Sequence, residues 1–116
     1  MSSPKKSNHP IVPTKVLIFG KVISVSREDM PRDEFGEYHQ HEYRITISKR
    51  LSPEDALHTL FHECIHAALH ISGLSAVIPG PRDNDDMDTV DLEEAIVTCL
   101  ENALYDMVDL DKIRVD

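Results

Sequence analysis

Residues 52–73 read SPEDALHTLFHECIHAALHISG, and the reading of this stretch decides the rest of the chain. Ser52 stands where a side-chain oxygen can accept from the orphan N–H groups of a helix start. Pro53 follows where its missing donor is harmless, and Glu54 and Asp55 complement the helix dipole. Gly73 can supply the left-handed residue that closes a helix. A helix is therefore predicted from Pro53 to about Ser72. Leu57, Leu60, Phe61, Ala67, Ala68 and Leu69 make most of its surface apolar, so it is expected to be buried on most sides.

The middle of that helix spells His62-Glu63-Cys64-Ile65-His66, an H-E-x-x-H pattern. Residues four apart stand one above the other on a helix, so both imidazoles can reach one metal ion. Glu63 lies about 100° around the helix from His62, close enough to touch a metal-bound water without ligating the metal. Zinc lowers the pKa of such a water towards 7, and Glu63 can take its proton as the water attacks a carbonyl. Two ionisable histidines in an otherwise apolar helix also need a partner.

A catalytic zinc normally takes three protein ligands and a water, so a third ligand has to come from elsewhere. A second helix is expected from Leu92 to about Val108, with Asp91 as its N-cap and the adjacent acids Glu93 and Glu94 in its first turn. Its apolar face, drawn through Ile96, Val97, Leu100, Ala103, Leu104 and Met107, has Glu93 on its margin and Glu94 pointing away. Glu94 also stands three residues after Asp91, where it can close a capping box. Glu93 is accordingly the expected third ligand to one Zn2+ per chain, and Glu94 the alternative.

Positions 58, 62, 66 and 70 step by four, so four of the seven histidines share one side of the first helix. His58 and His70 are expected to support the ligands or to line a groove, with direct ligation, which would close a structural site, as the alternative. Tyr105, further along the second helix, is a candidate donor to an oxyanion, although buried or half-buried packing is the better reading. Cys64 faces away from His62 and reads as a small core residue. His39 and His41 read as surface positions.

Working outward, Lys15 to Arg27 is rich in Val and Ile and reads as one strand, with Gly20 marking a bulge or a close backbone approach. Glu28 to Gly36 is charged, contains Pro31 and reads as a loop. From Glu37 to Ser48 the pattern alternates, with Tyr43, Ile45 and Ile47 on one face and Arg44, Thr46 and Ser48 on the other. That marks a half-buried strand. A short strand near Tyr38 can pair with it. The expected class is α+β: a short three-stranded antiparallel or mixed sheet packed on two helices. Residues 1–13 read as a flexible tail, 14–116 as a single domain, and 79–90 as an acidic, solvated loop within it.

The totals narrow the function classes. A net charge of -9, from 21 acidic and 12 basic residues, argues against a nucleic-acid or anionic-membrane surface. No apolar run approaches the roughly 20 residues of a membrane span, and the first ten residues lack the apolar centre of a secretory signal. Two cysteines on helices suggest no disulfide framework, so a reducing interior, the cytoplasm, is the expected compartment.

Taken together, the Ser-Pro-Glu-Asp helix start, the segment from Leu60 to Ala67 with its H-E-x-x-H, and the later Glu93-Glu94-Ala95-Ile96-Val97 with Asn102-Ala103-Leu104-Tyr105 resemble the minimal gluzincins. These are small HExxH metallopeptidase-like proteins of the ImmA/IrrE and SprT-like kind, many of them phage-encoded. The resemblance covers about Lys15 to Val108. It implies a zincin-like fold, zinc on His62 and His66, Glu63 as base, Glu93 or Glu94 as third ligand, and the cytoplasm of a bacterium or of a phage-infected host cell as the compartment. Neither a helix-turn-helix region nor zinc-ribbon cysteines accompany the motif, as they do in many of those proteins. The expected activity is hydrolysis of a peptide bond in a protein or peptide, with a partner protein for recognition a further option. The alternatives are a non-catalytic zinc-binding module and a phage-encoded module that grips a partner through its acidic surface.

Overall fold

The Ser52 hydroxyl accepts the N–H of Asp55 at 3.1 Å, and Pro53 opens a helix, α1, that runs Pro53–Ser72. Gly73, with φ 89°, ends it and returns its N–H to the carbonyl of His70. Both boundaries fall where the capping residues predict them, because the cap chemistry is local. The stripe Ala56, Leu60, Cys64 and Ala67 is buried against a sheet. The computed structural model describes residues 12–78 and 91–115, so the 79–90 loop and most of the expected N-terminal tail lie outside the described residues. Pro13, the last residue of that expected tail, is fully buried and belongs to the packed domain.

The expected strand from Lys15 to Arg27 is two strands. β1 (Lys15–Ile18) and β2 (Lys21–Glu28) form an antiparallel hairpin in which Ile18 faces Lys21. The turn between them is Phe19-Gly20, both with positive φ (49° and 79°). Gly20 is therefore a turn residue and not a bulge, since a two-residue hairpin turn of this hand needs left-handed backbone at both central positions. A phenylalanine in the place usually held by Asn or Asp hid the turn.

β3 (Gly36–His39) pairs antiparallel with β4 (Arg44–Ser48), and β4 pairs parallel with β2. The result is a four-stranded mixed sheet in the order β1-β2-β4-β3, one strand more than expected, within an α+β architecture. Ile45 and Ile47 enter the core as the alternation predicts, but Thr46 and Ser48 are buried as well. β4 is an interior strand, and its polar residues find partners: Thr46 Oγ1 lies 3.0 Å from His39 Nε2, and Ser48 Oγ accepts the Arg50 N–H.

The second helix, α2 (Leu92–Leu104), is capped by Asp91, whose side chain accepts the Glu94 N–H. It gives way to 3-10 geometry at Tyr105–Met107, one turn before the expected end. The chain then returns to the sheet, where the Leu17 N–H donates to Ile113 O and the Val115 N–H to Lys15 O, covering the outer edge of β1. Among the described residues no helix is long and apolar enough to cross a membrane.

β3 is the opposite edge, and it is pressed against α1. A Cβ built on Gly36 would meet Thr59 Cγ2 at 2.6 Å and Thr46 O at 3.1 Å, so only glycine permits this approach. Gly36→Ala is expected to lower stability by about 1–3 kcal/mol, the usual range for overpacking. Adding Thr59→Ser, which removes the colliding methyl group, should return part of the loss. A double-mutant cycle of thermal or denaturant unfolding measures that coupling, and additive effects would mean the contact is not what limits position 36.

Candidate metal centre

The 3.6-residue period of α1 turns one side of the helix to the sheet and leaves His58, His62, His66 and His70 along another. α2 runs antiparallel across this histidine row, and its acids meet it in reverse order. The Glu94 carboxylate sits between the two motif histidines, with Oε2 3.0 Å from His62 Nε2 and Oε1 2.8 Å from His66 Nε2. Ligand atoms of His62, His66 and Glu94 lie within 4.8 Å of one another, as donors to one ion must. Each imidazole also meets a carboxylate at its other nitrogen: His62 Nδ1 is 2.9 Å from Glu101 Oε1, and His66 Nδ1 is 2.7 Å from Glu93 Oε2.

The preference for Glu93 over Glu94 rested on the apolar positions of α2, and those positions mislead. Met107 is 76% exposed, Ala103 and Leu104 are exposed too, and only Val97 is fully buried on this helix. Centred on Val97, the face towards α1 holds Glu93 about 40° to one side, with Glu101 about 40° and Glu94 about 60° to the other. The seam between the helices is largely polar, so apolar residues alone could not locate it. Nor does the Glu94 carboxylate serve as a cap; it reaches the histidines, with Thr98 Oγ1 donating to it at 3.3 Å. Glu101 escaped the sequence reading altogether, although its place seven residues after Glu94, two helical turns on, was a usable signal.

Glu63 stands apart from the three converging residues. It is 8% exposed and accepts the backbone N–H of Tyr38 on β3. Burial raises its pKa; His66, His62 and the Tyr38 N–H pull the other way without cancelling the rise. For His62 burial disfavours the charged form, but the Glu101 hydrogen bond and the Glu94 and Glu63 charges outweigh it and hold the pKa above the ordinary value. Burial likewise opposes ionisation of Glu94, yet its hydrogen bond to His66 and the charge of His62 keep its pKa below the usual range.

Glu63, His62, Glu94 and Glu101 open on a cleft of about 420 Å³, whose other wall is the segment from Asp33 to Gly36. Arg50 holds that wall in place: one guanidinium nitrogen lies 2.9, 2.9 and 3.0 Å from the carbonyl oxygens of Pro31, Arg32 and Glu34.

The outer histidines do not join the group. His70 Nδ1 is 2.8 Å from the Tyr38 hydroxyl, and its ring is tilted against those of Tyr38 and Tyr43. His58 is half exposed, lies 3.6 Å from Glu101 Oε2, and stacks on Tyr105 at 3.5 Å between ring centroids. Tyr105 is thus engaged with His58 and with the edge of Phe61. Cys64 is buried against the sheet, which pushes its thiol up to about 12, so it offers no thiolate. Both cysteines are free. His39 bonds Thr46 from β3, and His41 is exposed in the following turn.

No family model matches the chain, and no curated protein and no solved structure matches it either.

Burial of Glu63 has a consequence for stability. An acid whose pKa is raised on folding favours the folded state below its unfolded value, and that contribution is lost as pH rises through the folded value. Its ionised form therefore weakens the fold at neutral pH. Glu63→Gln, which keeps an acceptor for the Tyr38 N–H, is expected to raise the melting temperature of the metal-free protein at pH 7. The difference should shrink as pH falls below the carboxylate range; a variant less stable than wild type at pH 7 would contradict this.

Proposed function

We propose that the chain is a zinc-dependent metallopeptidase with a zincin-like fold, in which His62, His66 and Glu94 hold the metal and Glu63 is the general base. The observation that carries this reading is the convergence of both Nε2 atoms on the Glu94 carboxylate, with Glu63 beside the group but not in it. The donor chemistry fits: two imidazoles and one carboxylate are a catalytic zinc set that leaves a position open, whereas a structural zinc is closed by four protein ligands. Among the described residues no fourth His, Cys, Asp or Glu joins the group. When bound, zinc supplies Lewis acidity, lowering the pKa of water and polarising a carbonyl.

The chain's own residues account for the remaining chemistry. Glu63, fixed by the Tyr38 N–H, accepts a proton from the attacking water and returns it to the departing amine. The cleft lets an extended substrate approach from the side of β3, an edge strand of the sheet, where strand addition is a natural mode of peptide binding. The order of elements, a sheet edge against an HExxH helix with an acid-bearing helix across it, supports the likeness to the minimal gluzincins.

A second reading has its own observation. Without any metal, each motif histidine already faces a carboxylate at both nitrogens. That network is sufficient to dock α2 on α1 in a non-catalytic module.

Peptide hydrolysis separates the two. Zinc-loaded wild type and Glu63→Gln are incubated with a mixed peptide library, and cleavage is followed by mass spectrometry. The enzyme reading expects zinc-dependent cleavage by wild type and a loss of at least about 100-fold in Glu63→Gln with zinc retained. Equal cleavage by both proteins, or none by wild type with zinc bound, would favour the non-catalytic module.

A further inference from the structure

Glu93 and Glu101 face the proposed centre without ligating it. An imidazole binds a metal through one nitrogen while the other keeps its proton, and the group that accepts that proton's hydrogen bond fixes the tautomer and the plane of the ring. Glu101 Oε1 takes this position at His62 Nδ1 (2.9 Å), and Glu93 Oε2 takes it at His66 Nδ1 (2.7 Å). Both Nε2 atoms are thereby turned towards Glu94. The orienting carboxylates are themselves partly buried, with 19% of the Glu101 side chain and 27% of the Glu93 side chain exposed, so water screens them incompletely.

Glu101 is further braced. Its second oxygen lies 3.6 Å from His58 Nδ1, and the His58 ring is stacked on Tyr105. This gives the outer histidine and the tyrosine a place in the arrangement without bringing either to the metal.

We propose that Glu93 and Glu101 are positioning residues that hold the His62 and His66 rings with Nε2 turned to the metal position and keep the proton on Nδ1 when the metal replaces the one on Nε2, so that α2 supplies one ligand and both orienting carboxylates. The inference rests on the metal centre proposed above.

The test is zinc affinity, by competition with a chromophoric chelator, together with the visible spectrum of the cobalt-substituted protein. Wild type is compared with Glu93→Ala, Glu101→Ala, Glu101→Gln and Glu94→Gln, and the melting temperature of each metal-free protein is recorded. Glu93→Ala and Glu101→Ala are expected to bind one metal at saturation, about 10–100-fold more weakly than wild type. Glu101→Gln, whose amide oxygen still accepts from His62 Nδ1, should recover most of that loss. Glu94→Gln alone should change the cobalt spectrum as the loss of a ligand does.

Wild-type affinity in both alanine variants overturns the proposal and leaves the centre standing. An equal loss in Glu101→Ala and Glu101→Gln overturns it too, since charge and not hydrogen-bond acceptance would then matter. Wild type that takes up no metal overturns the centre itself and this inference with it. Glu93 lies in the first turn of α2, so Glu93→Ala carries the test should Glu101→Ala fail to fold.

Discussion

The α1 helix has to satisfy two environments at once, and the rest of the molecule is arranged around that requirement. Ala56, Leu60, Cys64 and Ala67 turn towards the sheet and are buried among Val16, Ile23, Val25, Ile45 and Ile47. Around the same cylinder, four histidines at intervals of four form a second row that apolar packing cannot satisfy. α2 answers His58, His62 and His66 with carboxylates, and the Tyr38 hydroxyl on β3 meets His70. The only fully buried side chain of α2 is Val97, so the position of this helix depends on polar contacts more than on a shared apolar core.

Such a seam contributes specificity more than stability. Glu94 is half exposed, and ion pairs of that kind contribute at most about 1 kcal/mol each. A polar contact between partly buried groups is, however, unforgiving of register. Sliding α2 along α1 by one residue would turn Glu93, Glu94 and Glu101 away from their partners, whereas an apolar interface would tolerate repacking. The stability of the domain is instead drawn from the sheet and the buried face of α1, where aliphatic side chains are removed from water. The division suits a binding centre: a rigid scaffold sets the histidines, and a second helix, held by directional contacts, sets the acids.

What the sequence disclosed follows the range of the forces involved. The ends of α1 were legible because Ser52, Pro53 and Gly73 act on their own backbone neighbours. The pairing of a strand near Tyr38 with the one after it was legible from alternation. The hairpin at Phe19-Gly20 was not, since a turn residue is recognised by composition and phenylalanine is an unusual occupant of left-handed backbone. In the site, His62, Glu63 and His66 announced themselves through spacing within one helix. The choice between Glu93 and Glu94, and the presence of Glu101, depended on how two helices far apart in sequence meet. The pattern of apolar residues on α2 pointed about 60° away from the true contact face. Extending the periodicity argument to its acids would have found that face, because positions 94, 97 and 101 belong to one stripe.

X-ray absorption at the zinc edge of the metal-loaded protein tests the central claim most directly, since it counts and identifies the atoms around the ion. The account requires one zinc per chain with two imidazole nitrogens and one carboxylate oxygen at about 2.0–2.2 Å, plus a further light ligand in the open position. A sulfur scatterer at about 2.3 Å, a third imidazole, or the absence of stoichiometric zinc would contradict it.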